Sequence, residues 1–193
     1  MTDWTRLTYV AVDVEGNGHQ PPDLVELAAV PIVGGIIGES ATWLVQPDQP
    51  IKHLATRIHG MTDRYVADAP PFAAVEDEVL VALEADALVA HNAHVDVSVL
   101  ERKLGAWKTP EVFDTLKLAR RLLPHGGSFR LGTLVEKFKL AEGLPDGLTP
   151  HRAGYDALVA ARLFVRLASD ATTLETLRGD PPGGSNGEAS TLF

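Results

Sequence analysis

A single α/β domain built on one mixed sheet flanked by helices is what this sequence predicts, on three observations. The first third is dominated by β-rich apolar runs separated by turn residues, the second half alternates short apolar strands with segments of helical periodicity, and no internal repeat breaks either pattern. Strands joined by turns pair antiparallel, whereas strands joined through helices pair parallel. The two parts together therefore imply an antiparallel meander continued by parallel strands.

The elements follow in order. LTYVAVDVE, residues 7–15, is a strand that ends in acids, and DLVELAAVPIV and IIGESATWLVQP complete the meander across a Gly34-Gly35 turn. After Pro50, KHLATRIHG and MTDRYVADAPP read as short helical pieces and loops. PFAAVEDEVLVALE places apolar residues at helical spacing, with Pro71 near its start. ALVAHN is a short buried strand, HVDVSVLERKLGAW a helix and EVFD another short strand. TLKLARRLL and FRLGTLVEKFKL are helices, and a long amphipathic helix runs from Pro150 to about Asp170. Residues 1–179 form the expected domain. Residues 180–193 begin with the Gly-, Pro- and Ser-rich DPPGGSNGEAS and read as a flexible tail.

Composition narrows the chemistry. With 193 residues, 45% of them hydrophobic, the chain can bury one sizeable core. The absence of cysteine excludes a disulfide framework and any thiolate metal site, so a metal would be held by carboxylates or imidazoles, which favour hard ions such as magnesium or manganese. No leader-like start and no uninterrupted run of about 18 apolar residues is present, so a soluble cytoplasmic protein with no membrane partner is expected. The net charge of −9 runs against a nucleic-acid partner, but the charge is unevenly spread. Residues 101–139 carry nine Lys/Arg, namely Arg102, Lys103, Lys108, Lys117, Arg120, Arg121, Arg130, Lys137 and Lys139, against four Asp/Glu. They could flank a groove that binds a phosphate backbone, or simply form solvated helix faces.

Three clusters carry candidate chemistry. Asp13 and Glu15 stand two apart at the end of the first strand, so both carboxylates share one face while Val14 turns away. Like charges held that close repel unless a cation lies between them, although solvated acids at a strand end are an equal alternative. Asp96, in HNAHVD, follows a buried strand and enters a helix, where a dipole-complementing acid would also be at home. His151 and Asp156, in HRAGYD, straddle the start of the long helix and can point toward the same end of the sheet. A histidine in that place is otherwise a cap or surface residue.

In order and spacing, VDVEGNG, HNAHVDVSVL and HRAGYDALVAARLF, with RIHGMTD and FDTLKLAR between them, resemble the motifs of the DEDDh 3′-to-5′ exonucleases, the family of the proofreading epsilon subunit of bacterial DNA polymerase III. The resemblance spans residues 7 to about 167. It implies a ribonuclease-H-like sheet of order 3-2-1-4-5 and a site holding two Mg2+ or Mn2+ ions. Asp13, Glu15 and Asp156 would take the nucleophile-side ion, Asp13 and Asp96 the leaving-group-side ion, and His151 would accept the proton of the attacking water. The implied substrate is a single-stranded or frayed 3′ end of DNA, with RNA 3′-end trimming as an alternative and a non-catalytic module of the same fold as a more distant one. Gly16, Asn17, His59 and Asn92 are candidate substrate contacts, although His59 reads first as a loop-stabilising residue.

Two departures from the family pattern are visible. Gly16-Asn17-Gly18 stands where two threonines usually precede the glycine and contact the terminal nucleotide, and Val95 replaces a phenylalanine before the second-motif acid. Both bear on substrate selectivity rather than on metal ligands. The final Leu192-Phe193 is similar to the ending of short peptides that bind the bacterial sliding clamp, without their usual glutamine. The missing glutamine makes an inert tail the plainer reading of residues 180–193, with a clamp or polymerase partner reached through them as the sharper alternative. Trp4, Trp43 and Trp107 are scattered and read as packing residues.

Overall fold

The computed structural model describes residues 3–123, 127–171 and 173–179. Alternation of side chains along the first strand, β1 (Thr8–Gly16), sorts them onto two faces of a six-stranded sheet. Tyr9 and Ala11 enter one apolar layer, Val10, Val12 and Val14 the other. β2 (Leu24–Val33) pairs antiparallel with β1 from Thr8↔Val33 to Gly16↔Leu24, and turns through Gly34 and Gly35 into β3 (Ile36–Ile37). Both glycines have positive φ, 60° and 77°, which a two-residue hairpin with the sheet's own twist requires.

The third strand of the expected meander is split in two. β3 and β4 (Ala41–Leu44) both pair with β2, on either side of Pro31. In a strand, N–H and C=O of one residue point the same way, and Gly38 N–H donates to the Pro31 carbonyl at 2.8 Å. The missing Pro31 N–H therefore faces this partner, and the ladder breaks where no donor exists. β5 (Ala87–Ala90) and β6 (Glu111–Asp114) add parallel strands on the other side, giving the order β3-β2-β1-β5-β6. Counting β3 and β4 as one strand, this is the 3-2-1-4-5 order.

Helices α1 (His53–His59), α2 (Glu76–Ala82) and α3 (His94–Leu104) precede β6. After it come α4 (Thr115–Leu122), α5 (Leu131–Phe138), α6 (Ala153–Ala171) and a short α7 (Leu174–Arg178) that the sequence did not announce. α6 starts at Ala153 rather than at Pro150, since His151 takes a left-handed backbone, φ 62°, that no helix continues through. It is the central helix, buried along most of its 19 residues and packed on β1, β2 and β5. Trp4, Tyr9, Phe113 and Phe164 form an aromatic knot beneath it, with ring centroids 4.8 to 6.2 Å apart. Trp43 and Trp107 pack partly buried against the opposite layer. Among the described residues no helix is long and apolar enough to cross a membrane. The clamp-binding expectation falls on residues 180–193, outside the described residues.

Candidate active site

β1 pairs with β2 as far as Gly16 but with β5 only from Tyr9 to Ala11. Beyond Ala11 one edge of β1 is open, and the Val14 N–H that faces it is taken up by Asp96 Oδ1 at 3.0 Å, from the first turn of α3. Asp13 and Glu15 face the α6 side, where the first turn of α6 delivers Asp156. Oxygens of Asp13, Glu15 and Asp156 lie within 4.8 Å of one another, a spacing that suits one shared cation. Asp96 stands across the strand from this trio, close enough to be the strongest charged neighbour acting on Asp13.

Burial and crowding set the electrostatics of this cluster. Burial, then the neighbouring carboxylates Asp96, Asp156 and Glu15, hold the Asp13 carboxyl well above its ordinary range. Burial, followed by repulsion from Asp156, pushes Glu15 up to about 8, and burial pushes Asp96 up to about 7. Asp156 is raised chiefly by burial, against a lowering influence from His151. Among the described residues none of the four carboxylates forms an ion pair with a lysine or arginine. An all-oxygen cluster of this kind fits a hard divalent ion.

Arg152, beside the cluster, is engaged elsewhere. Glu26 on β2, opposite Glu15 in register, is 3% exposed, accepts Arg152 Nε at 2.9 Å and Arg152 Nη2 at 2.5 Å, and caps Ala153 N–H at 2.9 Å. The Arg152 guanidinium also lies over the half-exposed Tyr65 ring, 5.4 Å from its centroid. His151, just before, is exposed and donates its backbone N–H to Asp156 Oδ2 at 3.0 Å. Its left-handed conformation costs on the order of 1–3 kcal/mol and so needs firm neighbours. His151, Asp156 and Arg130 line one groove of about 530 Å3, and a second of about 610 Å3, lined by His91, Asn92, Arg120 and Arg130, adjoins it.

The expected substrate contacts divide. Asn17 is fully buried, accepting His19 and Asp23 N–H groups and donating to the Gln49 carbonyl, so its side chain is used in shaping the loop after β1. His59 is 5% exposed and has both ring nitrogens engaged. Met61 N–H donates to Nδ1 at 3.0 Å, which leaves Nε2 protonated and donating to the Gly16 carbonyl at 3.2 Å. Burial lowers its pKa. Neither side chain has a free polar group for a nucleotide. Gly16 sits at a register shift of the β1–β2 ladder, where a Cβ would come within 3.0 Å of the Pro22 Cβ. Asn92, exposed and left-handed at φ 67°, lines the second groove. Val95, 39% exposed, leaves the entrance of α3 without an aromatic ring.

Sequence reasoning passed over Glu26, Arg152 and the placement of Arg130. The available signal for the first was a lone acid inside the apolar run LVELAAV, which only a buried partner can justify.

Comparison with known proteins agrees with this geometry. A family model described as Exonuclease matches residues 10–164. Exodeoxyribonuclease 10 of Escherichia coli (strain K12) is 38% identical over 154 residues, 80% of this chain and 66% of the relative. The 3′-5′ exonuclease DinG of Bacillus subtilis is 31% identical over 180 residues, 90% of this chain but 18% of the relative. The PolC-type DNA polymerase III of the same organism is 36% identical over 173 residues, 85% of this chain and 12% of the relative. This chain thus spans between about an eighth and two thirds of these relatives. A solved structure of Exonuclease X in complex with 5′ overhanging duplex DNA superposes with a TM-score of 0.71 and 32% identity, covering 88% of this chain and 99% of that one.

Proposed function

We propose, from the premise that this chain belongs to the exonuclease family whose model it matches over residues 10–164, that it removes nucleotides one at a time from the 3′ end of DNA, using two Mg2+ or Mn2+ ions. The observation that carries this reading is the meeting of Asp13, Glu15 and Asp156 oxygens within 4.8 Å, with Asp96 behind them and no cationic side chain paired to any of the four among the described residues. Two divalent ions, when bound, stabilise charge on the attacking and departing oxygens of an in-line displacement at phosphorus and make water a better nucleophile.

The chain's own residues supply the rest. Asp13, Glu15 and Asp156 would hold one ion between their oxygens, and Asp13 and Asp96 would supply the carboxylates for a second. The His151 imidazole takes the proton of the attacking water. The water oxygen bonds to phosphorus, the bond to the 3′ oxygen breaks, and a nucleoside 5′-monophosphate leaves. Gly16 is the backbone contact offered beside the carboxylates, its missing side chain making room for Pro22, and Asn92 is the polar contact offered along the groove. Asn17 and His59 act by fixing the loop on which Gly16 stands.

DNA is the favoured substrate because the relative of whose length this chain covers 66% is named an exodeoxyribonuclease, and the solved structure of which it covers 99% is a complex with DNA. A paired terminus pays a few kcal/mol of unstacking before it can enter, so single-stranded or mismatched 3′ ends are degraded faster than blunt matched ones. The test uses 3′- and 5′-labelled DNA, as single strand and as matched and mismatched duplex, and RNA of the same sequence, with Mg2+, Mn2+ or chelator. Internal nicking, 5′-end polarity or chelator-resistant turnover sinks the reading. A partner engaged through residues 180–193 is tested separately, by titrating a peptide of residues 184–193 against the cognate clamp, with Leu192→Ala and Phe193→Ala as controls.

A further inference from the structure

We infer that Glu26 is a positioning residue for this reaction. Acting through Arg152 and the first N–H of α6, it holds His151 in the left-handed conformation that keeps the histidine beside Asp156. The inference rests on the proposed role of His151.

A buried acid in the middle of a sheet needs partners, and those of Glu26 are unusually local. Both oxygens accept from the Arg152 guanidinium, and Oε2 also accepts from Ala153 N–H. These two residues directly follow His151. On the other side the His151 N–H is held by Asp156 Oδ2. A non-glycine residue at φ 62° persists only where its surroundings over-determine it, and here the two carboxylates do so from either side. Glu26 also faces Glu15 across the β1–β2 ladder, so the group that pins the start of α6 is registered against the strand carrying two of the proposed ligands. Arg152 also lies over the Tyr65 ring, whose hydroxyl is 3.4 Å from Nη2.

An ion pair that merely stabilised the fold would affect every property of the enzyme together. A positioning residue lowers kcat through one other side chain and leaves the rest alone. Glu26→Gln keeps the shape and an acceptor for Ala153 N–H while removing the charge that fixes both guanidinium nitrogens. Circular dichroism and the thermal midpoint first establish that it folds. We expect kcat to fall about 10-fold in Glu26→Gln and about 100-fold in Glu26→Ala. KM for a single-stranded oligonucleotide and the Mn2+ affinity read by electron paramagnetic resonance should move less than about threefold. In a His151→Ala background neither substitution should lower kcat appreciably further, because residues acting through one another are not additive.

Amide exchange followed by NMR gives a readout free of turnover. The His151 N–H, which donates to Asp156 Oδ2, should exchange about tenfold faster in Glu26→Gln than in the parent protein as its hold on Asp156 loosens. Unchanged kcat in Glu26→Gln, an equal loss with and without His151, or unchanged His151 exchange would each overturn the inference. A parent protein that releases no nucleotide overturns the functional reading instead, and the exchange measurement then decides the positioning on its own.

Discussion

At the residue scale the site is a balance of like charges, and removing one of them has opposite effects on activity and stability. Asp13→Ala and Asp156→Ala should abolish nucleotide release, since either loss would empty or misplace an ion in the proposed two-metal site. Both should raise the thermal midpoint of the metal-free protein at pH 8 by about 2–4 °C, the shift that roughly 1 kcal/mol of relieved repulsion produces in a chain of this size. The pH dependence has a definite sign. Glu15 and Asp96 sit at about 8 and about 7 in the folded protein, above the ordinary carboxylate values of the unfolded chain, so they bind protons that unfolding would release. Their stabilising contribution is complete below about pH 4 and is lost as pH rises through about 7 to 8. The metal-free protein should therefore melt at falling temperature between pH 5 and 8.5, and Mg2+ or Mn2+ should raise the midpoint more at pH 8 than at pH 6. Differential scanning fluorimetry across that range decides it, and a metal-free midpoint that rises with pH would be fatal. His151→Ala should cost about 10² to 10⁴ in rate with near-normal Mn2+ binding, recovering partly as hydroxide becomes available at high pH. A wild-type rate and pH profile would leave His151 structural.

At the element scale, what could be read from sequence was the pattern, and what could not was the reach of one element beyond another. Period-2 alternation placed Asp13 and Glu15 together, and the Gly34-Gly35 turn set the hairpin. The break opposite Pro31 was missed because the apolar run continues through it, and only the pairing partner reveals that a donor is missing. The inward turn of Asn17 and His59 was equally hidden, since a polar residue beside a motif looks the same whether it faces a ligand or its own loop. Asp96 is the sharpest case. Its sequence position suggested a helix-dipole partner or a metal ligand, yet β1 outruns β5 and leaves the Val14 N–H for Asp96 to satisfy. Two substitutions separate these roles. Asp96→Asn retains an acceptor and should fold with near-parent stability while losing most activity. Asp96→Ala leaves a buried donor unpaired and should lose about 1–3 kcal/mol as well. Chemical denaturation of both measures this, and equal stability of the two variants would show that the bond contributes nothing.

At the scale of the whole molecule, the proposed function requires a chain of net charge −9 to attract a polyanion to a cluster of four acids. The two grooves meet at Arg130 and Leu131, so one path leads from His151 and Asp156 past Arg130 to Arg120, His91 and Asn92. Two arginines on that path, inside the cationic stretch 101–139, give the strand a local attraction that the net charge conceals. The attraction is short-ranged, because at physiological salt charges more than about 8 Å away are largely screened. Few phosphates can then be neutralised, and the salt dependence should be shallow. Each contact to a single strand contributes about −0.7 to the slope of log affinity against log salt, so two contacts give roughly −1.4. Arg130→Ala and Arg120→Ala should each make that slope shallower by about 0.7 and raise KM at moderate salt, while kcat at saturating oligonucleotide stays near the parent value. Steady-state kinetics on one single-stranded oligonucleotide over a series of salt concentrations measures all three quantities. A slope unchanged by both substitutions would mean that the strand leaves the carboxylates by another route, whereas a loss confined to kcat would place Arg130 at the reacting phosphate instead of along the path to it.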